Sequence, residues 1–189
     1  GDDVGTAGGR LRAAGSDANV ISKVEGGGGI DNMVEVVTAS DAMMVARGDL
    51  GVEIGDAEGP AVQKSLISEA RNQNTIVITA TQMMQSMVSS PQPTRAEVSD
   101  VANAVLDGTD AVMLSAESAV GRHPVTVVAA LNRICLAAER HRTVLVSGHR
   151  MESRFDSAER TLSMATVYTA NPYKVAGLLN PPGAGQQRK

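Results

Sequence analysis

The sequence predicts an α/β fold on a parallel sheet, and three observations lead there. Four short apolar runs recur along the chain, at Asn19–Val24, Ala42–Ala46, Thr75–Ala80 and Ala111–Leu114. Each is too short for a helix and nearly continuous, as strands covered on both faces read. Between and after them apolar residues fall at helical spacing: Val62, Leu66, Ile67 and Ala70; Val98, Val101, Ala102 and Val105; Val128, Leu131, Ile134, Cys135 and Ala138. Such βαβ units, each of roughly 30 residues, build an open doubly wound sheet or a (β/α)8 barrel. No Gly-x-Gly-x-x-Gly opens the first crossing, so dinucleotide binding has little support. A full barrel takes about 250 residues. Four units amount to half of one.

The local signals then follow in order. Gly26–Gly29 reads as a flexible strand-to-helix loop; it resembles a phosphate-cradling turn but lacks the Lys-Ser/Thr of a P-loop. Asp31 is the expected cap of a short helix through Thr38. Pro91 and Pro93 exclude helix just before Thr94. Thr94-Arg95-Ala96-Glu97 fits a capping box, with Thr94 accepting from the Glu97 amide and Glu97 reaching back. Asp107-Gly108 closes that helix on a residue suited to a left-handed end. Pro124 sits where a first helical turn tolerates it. His141–Glu152 is polar and basic, a linker; Ala158–Ala170 suits a helix and Lys174–Leu179 a strand; Asn180–Lys189 reads as a disordered end.

Composition narrows the function. The formal charge of −4 over 189 residues gives no support to a nucleic-acid or anionic-membrane partner. No apolar run approaches the roughly 18 residues of a membrane span, and the opening has no signal-peptide pattern. The single cysteine, Cys135, excludes a disulfide framework within the chain and favours a reducing compartment. The expectation is a soluble, cytoplasmic chain whose first residues read like the middle of a domain. With few aromatics and nine methionines, its core must be aliphatic and Met-rich.

Polar groups recur where each apolar run ends: Lys23-Val24-Glu25, Arg47-Gly48-Asp49, Thr79-Ala80-Thr81-Gln82 and Ser115-Ala116-Glu117. In barrels and open α/β sheets that edge is where sites assemble. Either acid alone is more often an ion pair or a helix cap. Together, at adjacent strand ends, Glu25 and Asp49 form a natural Mg²⁺ pair, since that cation takes one or two carboxylates plus substrate oxygens and waters. Strand alternation puts Lys23 on the rim with Glu25, where a cation stabilises an enolate or a phosphoryl group in flight. The plainer role for Lys23 is an ion pair that fixes the loop. Gly48 permits close backbone approach, and its amide with that of Asp49 suits a carboxylate. Thr81 and Ser115 offer hydroxyls. His123, His141 and His149 lack metal-ligand spacing and read as surface groups. Arg47-Gly48-Asp49 also spells an adhesion tripeptide, which a buried strand end rules against.

These residues resemble a known family. Ile21-Ser22-Lys23-Val24-Glu25, Met44 through Glu53, Thr79-Ala80-Thr81-Gln82-Met83-Met84, and Pro93 through Glu97 continuing to Asp110–Glu117 are similar to pyruvate kinase. The match runs in order from about Asp2 to Glu139, and Arg160–Leu179 resembles the start of that family's C-terminal domain. The resemblance implies a partial (β/α)8 TIM barrel, roughly strands five to eight, over residues 1–140. A linker over 141–157 and a truncated C-terminal α/β domain over 158–189 would follow.

It implies phosphoryl transfer from phosphoenolpyruvate to ADP, giving pyruvate and ATP as the last step of glycolysis. Lys23 matches the lysine that stabilises the transition state, and Glu25 and Asp49 match the ligands of Mg²⁺ or Mn²⁺. Gly48 and Asp49 match the amides that hold the substrate carboxylate. Thr81 matches the threonine near the carbon that is protonated, and Ser115 falls on the last barrel strand, beside a proton relay. Family members are homotetramers that use K⁺, whose ligands lie in the first four strands and are absent here. Also absent are arginines that grip phosphates, the lid domain and most of the C-terminal domain, so the isolated chain is expected to be inactive. Gly26–Gly28 replace larger polar residues of the family, and Val120 stands where some members carry a lysine near the nucleotide. The alternatives are an Mg²⁺-dependent aldolase or lyase that stabilises a pyruvate enolate, and a non-catalytic truncated product or a partial record of a longer chain.

Overall fold

Each apolar run does form a strand, and each ends where a turn or a polar side chain takes over. The computed structural model describes residues 2–141 together with 161, 162, 165 and 166. Strands β1 (Ile21–Val24), β2 (Ala42–Ala46), β3 (Ile76–Ala80) and β4 (Ala111–Met113) form one parallel sheet in the order β1-β2-β3-β4. The register sets Lys23 opposite Met44, Val45 opposite Thr79 and Ala80 opposite Met113. Sequence neighbours are spatial neighbours throughout, as in successive βαβ units.

One face of the sheet carries the first core. Val24, Met43, Val45 and Val77 pack there against Val37, Leu50, Leu66, Ile67 and Ala70 of the helices α3 (Met33–Thr38), α4 (Arg47–Ile54) and α5 (Gly59–Asn72). On the other face Ile21 and Ile76 are 50% and 55% exposed. The expectation of strands covered on both faces therefore holds for β2, whose five residues are buried or nearly so. It fails for β1, which alternates exposed and buried, and for β4, where Ala111 is exposed and the other two half-buried. Among the described residues both are edge strands, with a neighbour on one side only.

A second core lies under β4. Met83, Met84 and Met87, the last in a 3₁₀ turn at Gln85–Val88, pack with residues of α6 (Arg95–Asp107) and α8 (Pro124–Glu139). Methionine fills this irregular space where aromatics are lacking. The helix faces differ in part from the expected ones. On α6, Val101, Ala104 and Val105 are buried while Val98 is 36% exposed. On α8, Val127, Ala130, Ile134 and Ala138 are buried while Val128 is 52% exposed. Leu131 and Cys135 pack at the border of that core. The buried stripes keep Val101 and Val105 on α6 and Ile134 and Ala138 on α8, and turn toward the small Ala104 and Ala130.

The capping signals at α6 and α8 are as expected. Thr94 accepts from the Glu97 amide at 3.2 Å while Glu97 accepts from the Thr94 amide at 2.8 Å. Gly108 ends α6 at φ 98°, where an added Cβ would also meet the Arg71 guanidinium. Pro124 begins α8. Two elements differ from the sequence expectation. Gly26–Gly29 is no loop: Gly27–Asp31 is a helical turn, α2, held by Gly29 and Ile30 amides on the Gly26 carbonyl. Asn32 Nδ2 ties down the Gly28 carbonyl at 2.9 Å. Asp31 is consequently the last residue of α2, and α3 starts after Asn32 with no side-chain cap.

The spacing also gave no sign of helix α1 (Asp2–Ala13), which contains three glycines and buries nothing. The short α7 (Ala116–Ala119) follows β4. The chain divides into two compact units, Gly1–Ser147 and Gly148–Lys189. In the second, Thr161, Leu162, Ala165 and Thr166 are helical, within the helix expected at Ala158–Ala170. The linker, the strand at Lys174–Leu179 and the tail from Asn180 lie outside the described residues, as does His149.

Candidate functional site

Parallel strands deliver their C-terminal ends to one edge, and the polar residues read from the sequence gather there. Lys23, next to last in β1, forms an ion pair with Glu25 and reaches Asp49 Oδ2 at 3.4 Å. The hydrogen bond to Glu25 raises the Lys23 ammonium above its ordinary value; desolvation opposes this and Asp49 adds to it. All three side chains remain open, with 48%, 45% and 68% of their surfaces exposed for Lys23, Glu25 and Asp49.

Asp49 and Gly48 lie in the first turn of α4, which begins straight after β2. First-turn amides have no intrahelical partner and attract anions. Here the Gly48 amide donates to Thr81 Oγ1 at 2.9 Å, and that hydroxyl donates to the Ala80 carbonyl at 2.7 Å. Nothing in the chain's own packing requires glycine at 48, because an added Cβ would meet Thr81 Oγ1 at 3.6 Å, an ordinary contact. Lys23, Glu25, Asp49, Gly48 and Thr81 thus form one connected line across the ends of β1, β2 and β3.

Thr81 and Gln82 have φ of 65° and 53°. For a β-branched threonine this is an outlier of the kind that clusters at working sites. The fourth strand end stands apart: Glu117 accepts from the Ser115 and Met84 amides, not from the line of five residues. Two hollows flank the edge. One of about 880 Å³ reaches Lys23, Gly28 and Asn32, and one of about 850 Å³ reaches Arg47, Gly48 and Gln82. Neither of these encloses the whole set.

Sequence reasoning missed two contributors. Arg47 is half-buried and donates to Asp100 at 2.5 Å and to the Thr81 and Gln82 carbonyls at 3.0 and 3.2 Å. Glu53 brings its carboxylate against Gly26, where an added Cβ would collide with Oε2. The signal for Arg47 is its place among the polar residues that end the apolar runs. His123 is half-buried and His141 exposed. Among the described residues no three His, Cys, Asp or Glu side chains form a metal-holding group. The expected pair does fit a hard divalent cation in one respect: both carboxylates converge on a single cationic group, the Lys23 ammonium. Carboxylate oxygens are the donors such an ion takes.

The fold and the site together define a parallel α/β protein with a lysine–carboxylate cluster at the C-terminal edge of its strands. Residues 1–128 match the family model "Pyruvate kinase, barrel domain". The chain is 53% identical over 177 residues to pyruvate kinase II of Salmonella typhimurium, covering 92% of this chain and 37% of the relative. It is 55% identical over 164 residues to a pyruvate kinase of Haemophilus influenzae, covering 85% and 34%. Its fold is similar to the crystal structure of a pyruvate kinase from Cryptosporidium parvum, with a TM-score of 0.78 and 39% identity over 85% of this chain and 33% of that one. The chain belongs to the pyruvate kinase family. It spans about a third of the length of the curated relatives it matches. No helix among the described residues is long and apolar enough to cross a membrane.

Proposed function

We propose that this chain supplies the metal, carboxylate and enolate contacts of a pyruvate kinase, which moves a phosphoryl group from phosphoenolpyruvate to ADP. One observation carries the reading: the Lys23 ammonium stands between Glu25 and Asp49, and the residue before Asp49 bonds through its amide to Thr81. On this reading β1–β4 are barrel strands five to eight. Residues 1–140 are the catalytic part, 141–157 a linker and 158–189 the start of the C-terminal domain. The whole protein would be a cytoplasmic homotetramer, with its K⁺ ligands outside this chain.

Glu25 and Asp49 would hold Mg²⁺ or Mn²⁺, which when bound neutralises charge on phosphoryl and enolate oxygens. Lys23 holds a permanent positive charge where negative charge develops as the phosphoryl group leaves. The Gly48 and Asp49 amides in the first turn of α4 take the substrate carboxylate, the Gly48 amide exchanging its bond to the Thr81 hydroxyl for one to the ligand. Packing leaves room for a side chain at Gly48, so close approach of a ligand is what glycine serves there. The Thr81 hydroxyl lies against the same amide, beside the carbon that gains a proton. Membership of the family leaves the aldolase or lyase alternative without support.

The test is a chimera in which residues 1–128 replace the matching segment of the Salmonella enzyme. It should form pyruvate from phosphoenolpyruvate and ADP. Glu25→Gln in that chimera should raise the Mg²⁺ concentration for half-maximal rate by roughly tenfold or more. Unchanged Mg²⁺ dependence would remove Glu25 from the ligand set. The 189-residue chain alone should show little or no turnover, and clear pyruvate formation by it would contradict that expectation.

A further inference from the structure

Glu117 is an ionisable side chain with no exposed surface, and the reaction as described above has no use for it. A buried carboxylate is costly unless donors satisfy it. Glu117 has two, and they come from different segments. Oε1 accepts from the Met84 amide at 3.0 Å, and Oε2 accepts from the Ser115 amide at 2.8 Å. No ion pair reaches it among the described residues. The contact to Ser115 is local, two residues back, and closes the end of β4. The contact to Met84 crosses 33 residues of sequence and ties β4 to the segment after β3.

That segment is the strained one. Thr81 and Gln82 hold left-handed backbone three and two residues before Met84, and Met83 and Met84 are fully buried. Strained backbone persists only where its surroundings over-determine it. Arg47 grips the Thr81 and Gln82 carbonyls from the β2 side, and Glu117 grips the Met84 amide from the β4 side. A cation on the carbonyls and an anion on the following amide fix the turn at both ends.

We propose that Glu117 is a positioning residue: its carboxylate, bridging the Met84 and Ser115 amides, holds the left-handed Thr81–Gln82 turn and so the Thr81 hydroxyl against Gly48. Its oxygens accept from two backbone amides, so it acts through the backbone that carries Thr81. The importance of the role rests on the assignment of Thr81 in the proposed function.

The experiment is heteronuclear NMR on the 189-residue chain, comparing wild type with Glu117→Gln. Hydrogen bonds to charged groups are the stronger ones. The Met84 and Ser115 amides should therefore exchange with solvent roughly ten- to hundredfold faster in the variant. The Thr81 and Gln82 Cα and Cβ shifts should leave their left-handed values, while the methyl signals of Val37 and Leu66 in the first core stay in place. Glu117→Asp, too short to span both amides, should give the same pattern. Acceleration of Ser115 alone, with the Thr81 and Gln82 shifts unmoved, would overturn the proposal, because Glu117 would then only close its own turn. If Glu117→Gln unfolds the chain, the wild type decides. A scalar coupling across the hydrogen bond from the Met84 amide nitrogen to the Glu117 carboxyl carbon upholds the proposal. Its absence, with Met84 exchanging like an open loop, overturns it. Loss of Thr81's part in turnover would sink the functional reading and leave these spectra unchanged, so the two failures are separable.

Discussion

The two ends of the site edge are built on opposite principles. At the β1–β2 end, Lys23, Glu25 and Asp49 meet as charges open to solvent. At the β3–β4 end, Glu117, Met83 and Met84 are fully buried and the contacts run to backbone amides. Exposed ion pairs add little to stability, whereas a buried charge held by amides is costly to disturb. The charged end is therefore free to serve chemistry, and the buried end supplies shape.

Substitutions should separate the two. The largest expected effect is on rate: Lys23→Met in the chimera should lower kcat by on the order of 10²–10³-fold and leave the thermal midpoint essentially where it was. Turnover near the wild-type rate would remove Lys23 from its role. The next effect is on stability alone. Leu66, fully buried in the first core, should lose about 2–5 kcal/mol on Leu66→Ala, read by urea unfolding. A loss near zero would mean that the helix layer is not packed on the sheet as described.

The smallest effect is a pH dependence at Glu97. Burial pushes this carboxyl up, but hydrogen bonds from Ser86 and Thr94 outweigh it and hold it below the usual range. A carboxyl lowered by folding contributes stability that is complete above its unfolded value and is lost as pH falls through its folded value. Wild-type stability should therefore decline as pH drops below the ordinary carboxylate value of 4.5. Glu97→Gln, with no proton to take up, should decline less steeply over the same range. Parallel profiles would show that the capping network does not bias Glu97.

Much of this arrangement was legible in the sequence because it follows from short-range rules. The apolar runs mark β1–β4 to within two residues at each end, and Thr94, Glu97 and Gly108 announce the limits of α6. The line from Lys23 to Thr81 was readable because parallel strands bring every C-terminal end to one edge. What escaped depended on long-range packing. Glycine-rich composition hid α1 and α2, since propensity argues against helix there. The buried faces of α6 and α8 were misjudged at Val98 and Val128, where alanine made the closer contact. Glu117 was visible as an acid at a strand end, but nothing nearby in sequence reveals that its partner is the Met84 amide 33 residues earlier.

The central claim is that Glu25 and Asp49 share one cation position at this edge. Paramagnetic relaxation by Mn²⁺ in the 189-residue chain tests it most directly. Amide signals of Glu25, Gly26, Gly48, Asp49 and Thr81 should broaden first, and the effect should vanish in a Glu25→Gln, Asp49→Asn double variant. Broadening centred elsewhere, or unchanged in the double variant, would contradict it.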